Sequence, residues 1–249
     1  MYQTFEVEVY RRHLIMKCNG KDVLLDTGSP WTLGSGETFE FMGKPITCER
    51  YGPVNIDSVR QLLGLDIDVL MGMNVLDGMC MLVDLTADEV TFSDEPLTLE
   101  NAVTIFLERP NNFVTIRAEV SGMPVNLVVD TGAQLSYLNG QYIAGLDPIG
   151  THKDFHPLMG HYEVPIYGMP VNIAGRDLDV VWGEATPRVS ALISPIGADG
   201  VLGYDLFKQG KVMFDFITNT LQFKELDFKT EKLLLLVGFH QLNAVSVVV

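Results

Sequence analysis

The 249-residue sequence is poor in cysteine, in tryptophan and in basic residues. Its three cysteines, Cys18, Cys48 and Cys80, are odd in number and scattered, which speaks for reduced thiols rather than a disulfide frame. Cys80 lies between Met79 and Met81 and reads as a small buried hydrophobe. Lys and Arg total 17 against 32 Asp and Glu, a net charge of −15. That balance argues against nucleic acid or an anionic membrane as partner, since both need clustered Lys and Arg. The apolar run Leu233–Val237 is too short to span a bilayer and is soon interrupted by Gly238, His240 and Gln241. The opening residues Met1–Glu6 carry no basic region followed by an apolar one, so no secretory leader is expected and a cytoplasmic location is. A phosphate-cradling glycine loop and a Ser/His/Asp signature are also missing. With 47% apolar and 20% charged residues, the chain has the material for a packed core.

What it does have is one triplet written twice. Asp26-Thr27-Gly28 follows Val23-Leu24-Leu25, and Asp130-Thr131-Gly132 follows Leu127-Val128-Val129. Upstream of each copy the pattern reads strand, tight turn, strand, glycine turn, strand, with Asn19-Gly20 and Ser121-Gly122 as the last turns. Downstream, Leu70-Met71-Gly72 corresponds to Val201-Leu202-Gly203. From those glycines the halves run in step without a gap, setting Asp84 on Asp215 and Phe92 on Phe223. The chain reads as one fold written twice. Two carboxylates brought face to face cannot both ionise easily, which is the electrostatic basis for activating a water.

The first lobe is expected over residues 1–95, carrying the first triplet. The second spans 96–225 and carries the other, and 226–249 is a tail expected to add a packing strand. Strand-like runs dominate, so each lobe reads as an all-β barrel. Apolar spacing predicts a helix over 56–63, and short helices are expected at 74–78 and 204–209.

On the two apolar-apolar-Asp-Thr-Gly triplets, followed by Ser29 and Ala133, and on the two apolar-apolar-Gly partners, the chain resembles the pepsin/retropepsin superfamily of aspartic proteases. Its lobes are retropepsin-sized, so it looks like a compact fused pair. The resemblance implies an all-β fold of two pseudo-twofold-related lobes with few short helices. It implies Asp26 and Asp130 as the catalytic pair of an endopeptidase acting as a monomer on extended polypeptides, with no cofactor or metal. The glycines Gly28 and Gly132 would let the backbone come close behind the carboxylates, and Thr27 and Thr131 would bond across the interface. Ser29 can donate a hydrogen bond to a dyad carboxylate and Ala133 cannot, an asymmetry that implies mild rather than strong acid.

Such families fold a hairpin flap over the cleft. Lobe one offers only Phe39–Thr47, whereas lobe two has a longer insertion, Thr151–Val171, with Tyr162 and Tyr167 as possible clamps. His152, Asp154, His156 and His161 have the side chains for zinc, but Pro157 and Gly160 break the register, so a polar hairpin tip over the cleft is expected and no metal. Asp66 and Asp68 read as solvent-facing acids, and Trp31 and Trp182 as cleft or core. The weak flap of lobe one keeps a second function open, a non-catalytic peptide-binding or interaction module on the same scaffold.

Overall fold

A computed structural model describes residues 1–49 and 54–226. The expected tail strand beyond Leu226 lies outside the described residues. Lobe one runs β1 (Tyr2–Tyr10), β2 (His13–Cys18), β3 (Lys21–Leu25), β4 (Leu33–Gly34), β5 (Thr38–Phe41), β6 (Lys44–Thr47), α1 (Ile56–Leu63), β7 (Val69–Met71), α2 (Met73–Leu76), β8 (Cys80–Asp84) and β9 (Glu89–Ser93). Lobe two runs β10 (Val103–Phe106), β11 (Thr115–Val120), β12 (Met123–Val129), β13 (Ser136–Leu138), β14 (Gly150–His156), β15 (Gly160–Ile173), β16 (Arg176–Glu184), α3 (Pro187–Ile193), β17 (Gly200–Leu202), β18 (Gly210–Asp215) and β19 (Thr220–Glu225). The fold is all-β with two pseudo-twofold-related lobes.

In each lobe the strand ending at the Asp pairs in parallel with the strand ending at the Gly partner. Leu25 lies opposite Met71, and Val129 opposite Leu202. The lobes join through a continuous run of strands, β10-β19-β18-β8-β9-β1. At its centre β8 pairs antiparallel with β18, and Leu82 lies opposite Met213. Met213 is the counterpart of Leu82 in the alignment that sets Gly72 on Gly203, so the pseudo-twofold axis passes between those two residues.

The apolar faces of both lobes merge into one core, from Phe5 and Val7 through Met81 and Val83 to Phe214 and Phe223. Two satellite clusters lie under α1 and α3. Asn55 caps α1 by accepting from Ser58 N, Ser58 bonds back to Asn55 N, and Gly64 closes the helix at φ +69°. The 74–78 expectation appears as α2, and the 204–209 expectation as a short 3-10 turn at Phe207–Gln209. An unforeseen helix is α3, whose start was nonetheless written in Thr186-Pro187: Thr186 accepts from Val189 N, and Pro187 occupies the first turn. Among the described residues no helix is long and apolar enough to cross a membrane.

The Phe39–Thr47 hairpin of lobe one forms, as β5 and β6, but it is anchored to the core. Phe41 stacks on Phe5 at 5.7 Å and meets Phe92 edge-on at 5.0 Å. Both Phe39 and Phe41 are buried, so this hairpin packs the back of its lobe. Replacing Phe41 by Ala should cost about 3–5 kcal/mol by opening a cavity among three aromatic rings. Equilibrium unfolding in urea, read as a lowered midpoint with unchanged slope, checks this.

Candidate functional site

Each triplet forms a tight loop after its strand. Asp26 N donates to Met71 O and Asp130 N to Leu202 O, both at 3.0 Å, which ties each loop to its glycine-bearing strand. Ser29 N and Ala133 N close the loops onto the carbonyls of Asp26 and Asp130. The two loops meet through a symmetric set of four buried bonds. Thr27 N donates to Thr131 Oγ1 at 2.9 Å and Thr131 N to Thr27 Oγ1 at 3.0 Å. Each hydroxyl in turn donates across the interface, Thr27 to Val129 O and Thr131 to Leu25 O, both at 2.8 Å. Both threonines are fully buried, so every one of these groups needs its partner.

This clamp presses each glycine against the opposite carboxylate. A Cβ on Gly28 would collide with the Asp130 carboxyl, and one on Gly132 with that of Asp26. The Gly28 N–H donates to Asp26 Oδ1 at 3.0 Å, and the Gly132 N–H to Asp130 Oδ1 at 2.8 Å. Each carboxyl lies against the glycine whose N–H serves the other, which brings the two acids together. They are enclosed by protein yet partly open to solvent.

Burial raises the pKa of both acids. For Asp26 the negative charge of Asp130 adds to the effect and carries it well above the ordinary carboxylate range. For Asp130 the rise is opposed by N–H donors from Gly132, Gly28 and Ala133 and by the bond from Asp26. The pair titrates as a unit, so its first proton belongs to the dyad rather than to either acid. The expected donation from the Ser29 hydroxyl is not found. Its Oγ bonds Trp31 O at 2.8 Å, so only the Ser29 N–H reaches Asp26. The dyad's asymmetry therefore comes from backbone donors.

A second tier escaped sequence reading. Thr32 Oγ1 accepts from Gly72 N at 3.0 Å, and Ser136 Oγ accepts from Gly203 N at 3.1 Å. Beyond them stand Asn74 and Asp205, bonded to Thr32 and Ser136 respectively. The signal was present, because both hydroxyls lie at the same offset from their Asp. Glycine is required at Gly72 and Gly203, since a Cβ would strike the Trp31 or Ala133 carbonyl.

The lobe-two insertion forms the β14–β15 hairpin. Tyr162 is half-buried on it, and its hydroxyl is hydrogen-bonded to that of Tyr137 at 3.1 Å. Tyr167 is core rather than clamp: it is buried and paired with Trp182, itself wholly inside, while Trp31 is 38% exposed. The polar hairpin tip also needs correction. Asp154 is buried, accepting from Gln134, Tyr137 and Phe155 N, because those donors offset the cost of burying a carboxylate. Among the described residues no three His, Cys, Asp or Glu side chains converge to hold a metal. Asp66 is exposed, whereas Asp68 turns in to accept from Asp22 N.

Two outcomes follow from this geometry. Thr27→Val and Thr131→Val should each destabilise the protein by about 1–3 kcal/mol, by leaving a buried N–H without its acceptor; thermal or urea unfolding measures it. The second concerns pH. The folded dyad holds more protons than the unfolded chain above about pH 4, so its stability contribution is complete below that pH and is lost as pH rises through the raised folded values. Asp26→Asn should therefore raise the melting temperature at neutral pH by a few degrees, with the gain vanishing in acid.

No protein-family model matches the chain, and no curated protein does. Among solved structures, a foamy viral protease-reverse transcriptase in complex with RNA/DNA hybrid is 17% identical over 36% of this chain, with a TM-score of 0.29. The match spans 11% of that viral chain. The aspartic proteinase from Irpex lacteus is 9% identical, covers 93% of this chain and 99% of its own, and gives a TM-score of 0.51. At that identity the likeness is one of fold, and the fold it supports is pepsin-like.

Proposed function

We propose that the chain is an aspartic endopeptidase whose catalytic residues are Asp26 and Asp130. The observation that carries this reading is a pair of enclosed carboxyls, one from each half, each held against the other loop's glycine by the Thr27–Thr131 interlock, with both pKa values raised by burial. A water between them gives a proton to ionised Asp130 as its oxygen attacks a peptide carbonyl. Asp26 gives its proton to the developing oxyanion; on collapse the C–N bond breaks, Asp130 passes the proton it took from the water to the leaving nitrogen, and Asp26 recovers its proton from the hydroxyl that becomes the product's carbonyl. No covalent intermediate is needed. One chain supplies both acids, so the proposed enzyme is a monomer. Thr27 and Thr131 position the loops, and Gly28 and Gly132 supply donors and clearance.

The proposed substrate is a polypeptide in extended form. Strand-like binding satisfies backbone groups and sends alternate side chains into pockets. The β14–β15 hairpin is the proposed flap, with Tyr162 on the side facing Tyr137. A peptide-binding module that keeps the cleft without cleaving is the second reading. It is favoured by the seating of β5–β6 on the core, which leaves lobe one without a flap.

Incubation with an unstructured polypeptide tests both. The expected profile of kcat/KM is bell-shaped with its maximum in mild acid: the fall on the alkaline side marks loss of the shared proton, above the ordinary carboxylate range, and the fall on the acid side marks its doubling. Asp26→Asn and Asp130→Asn should each lower the rate by at least about a thousandfold. Saturable binding without cleavage at any pH would transfer the assignment to the module.

A further inference from the structure

The β1–β2 turn of lobe one and the tip of the β14–β15 hairpin of lobe two meet over a buried histidine. Both central residues of the turn have positive φ without being glycine, Arg11 at 47° and Arg12 at 67°. Such a backbone is held in place by its surroundings. Here Arg11 Nη1 reaches Leu63 O at the end of α1, and Arg12 Nη1 reaches Gln134 O in lobe two. The next residue is His13, 3% exposed. Neither of its ring nitrogens has a hydrogen-bond partner among the described residues, although the Gly132 main chain faces the ring.

The hairpin tip lies against this ring. Phe155 packs at 5.7 Å between ring centroids and joins the apolar cluster under α1, crossing from its own lobe to do so. Beside it, buried Asp154 is fixed by Gln134 and Tyr137. The charged and titratable groups around His13 are thus Asp154 on β14 and Arg11 on its own turn. Arg12 is engaged with Gln134, His161 packs on Phe155, and half-buried His156 has Asp154 as its charged neighbour.

We propose that this junction is an acid-released latch: neutral His13 beneath Phe155 keeps the hairpin seated across the lobes, and protonation of His13 frees the tip and opens the cleft. The seated ring is an unpaired polar group whose charging is opposed first by burial, which lowers its pKa to about 4 against the attraction of Asp154. A freed ring regains its ordinary value of 6.5. Between those values the freed state binds the proton more tightly, so acidification favours opening. Only the use of the latch in catalysis rests on the hydrolase reading. There it would open the cleft in the same mild acid that leaves one proton on the dyad.

Hydrogen exchange on the whole chain, read as protection factors over residues 150–162, tests the latch directly. In the wild type, protection there should fall about 20-fold from about pH 7 to about pH 5, while β11 and β12 keep theirs. His13→Phe should abolish that fall. Phe155→Ala should leave the segment unprotected already near neutrality, and it alters a partly exposed side chain should His13→Phe fail to fold. An equal fall in wild type and His13→Phe, or protection that survives Phe155→Ala, overturns the proposal. Cleavage assays on the same samples separate the two readings, because the exchange pattern without cleavage keeps the latch and removes the hydrolase.

Discussion

Four hydrogen bonds between Thr27 and Thr131 and the strands behind them hold the two halves of this molecule in register. Each hydroxyl both donates and accepts, and no group in the set can turn to solvent. The constraint sets how close the loops come, and that distance sets everything the carboxyls do. Only because the loops interlock does each glycine touch the opposite acid, where any side chain would collide. The second tier of Thr32 and Ser136 fixes each loop to its own lobe in the same way.

Closeness alone would make the acids alike, yet the surroundings divide them. Asp130 receives three backbone donors and Asp26 two, and Asp26 also faces the neighbouring charge. One lone serine was expected to create this difference, but its hydroxyl is drawn off to Trp31 O.

Much of this was legible in the residues. Fold class, strand order around each triplet, and the correspondence of the two Gly elements follow from local runs and from their repetition; the parallel pairing of each Asp strand with its Gly strand came from the structure. Helix α1 was readable from its apolar stripe, and the Asn55 and Gly64 caps seen in the structure agree with it. What stayed hidden depends on contacts between distant segments. Phe39 and Phe41 alternate as in any hairpin, and nothing local says that Phe5 and Phe92 will receive them. Asp154 lies between His152 and His156 and reads as part of a polar hairpin tip, yet Gln134 and Tyr137 draw it inside. Tyr167 has the same composition cue as Tyr162, but the two lie on opposite faces of β15, as odd and even positions of a strand must.

The inter-lobe run of strands places β8 directly against β18, although the whole barrel of the second lobe is encoded between them. On a growing polypeptide β8 therefore emerges with one bare edge, and it keeps that edge until the strands of the second lobe up to β18 have been translated. The apolar residues Met81 and Val83 lie on the same strand. A nascent chain carries this adhesive border throughout synthesis of the second lobe, whereas the finished molecule has it paired.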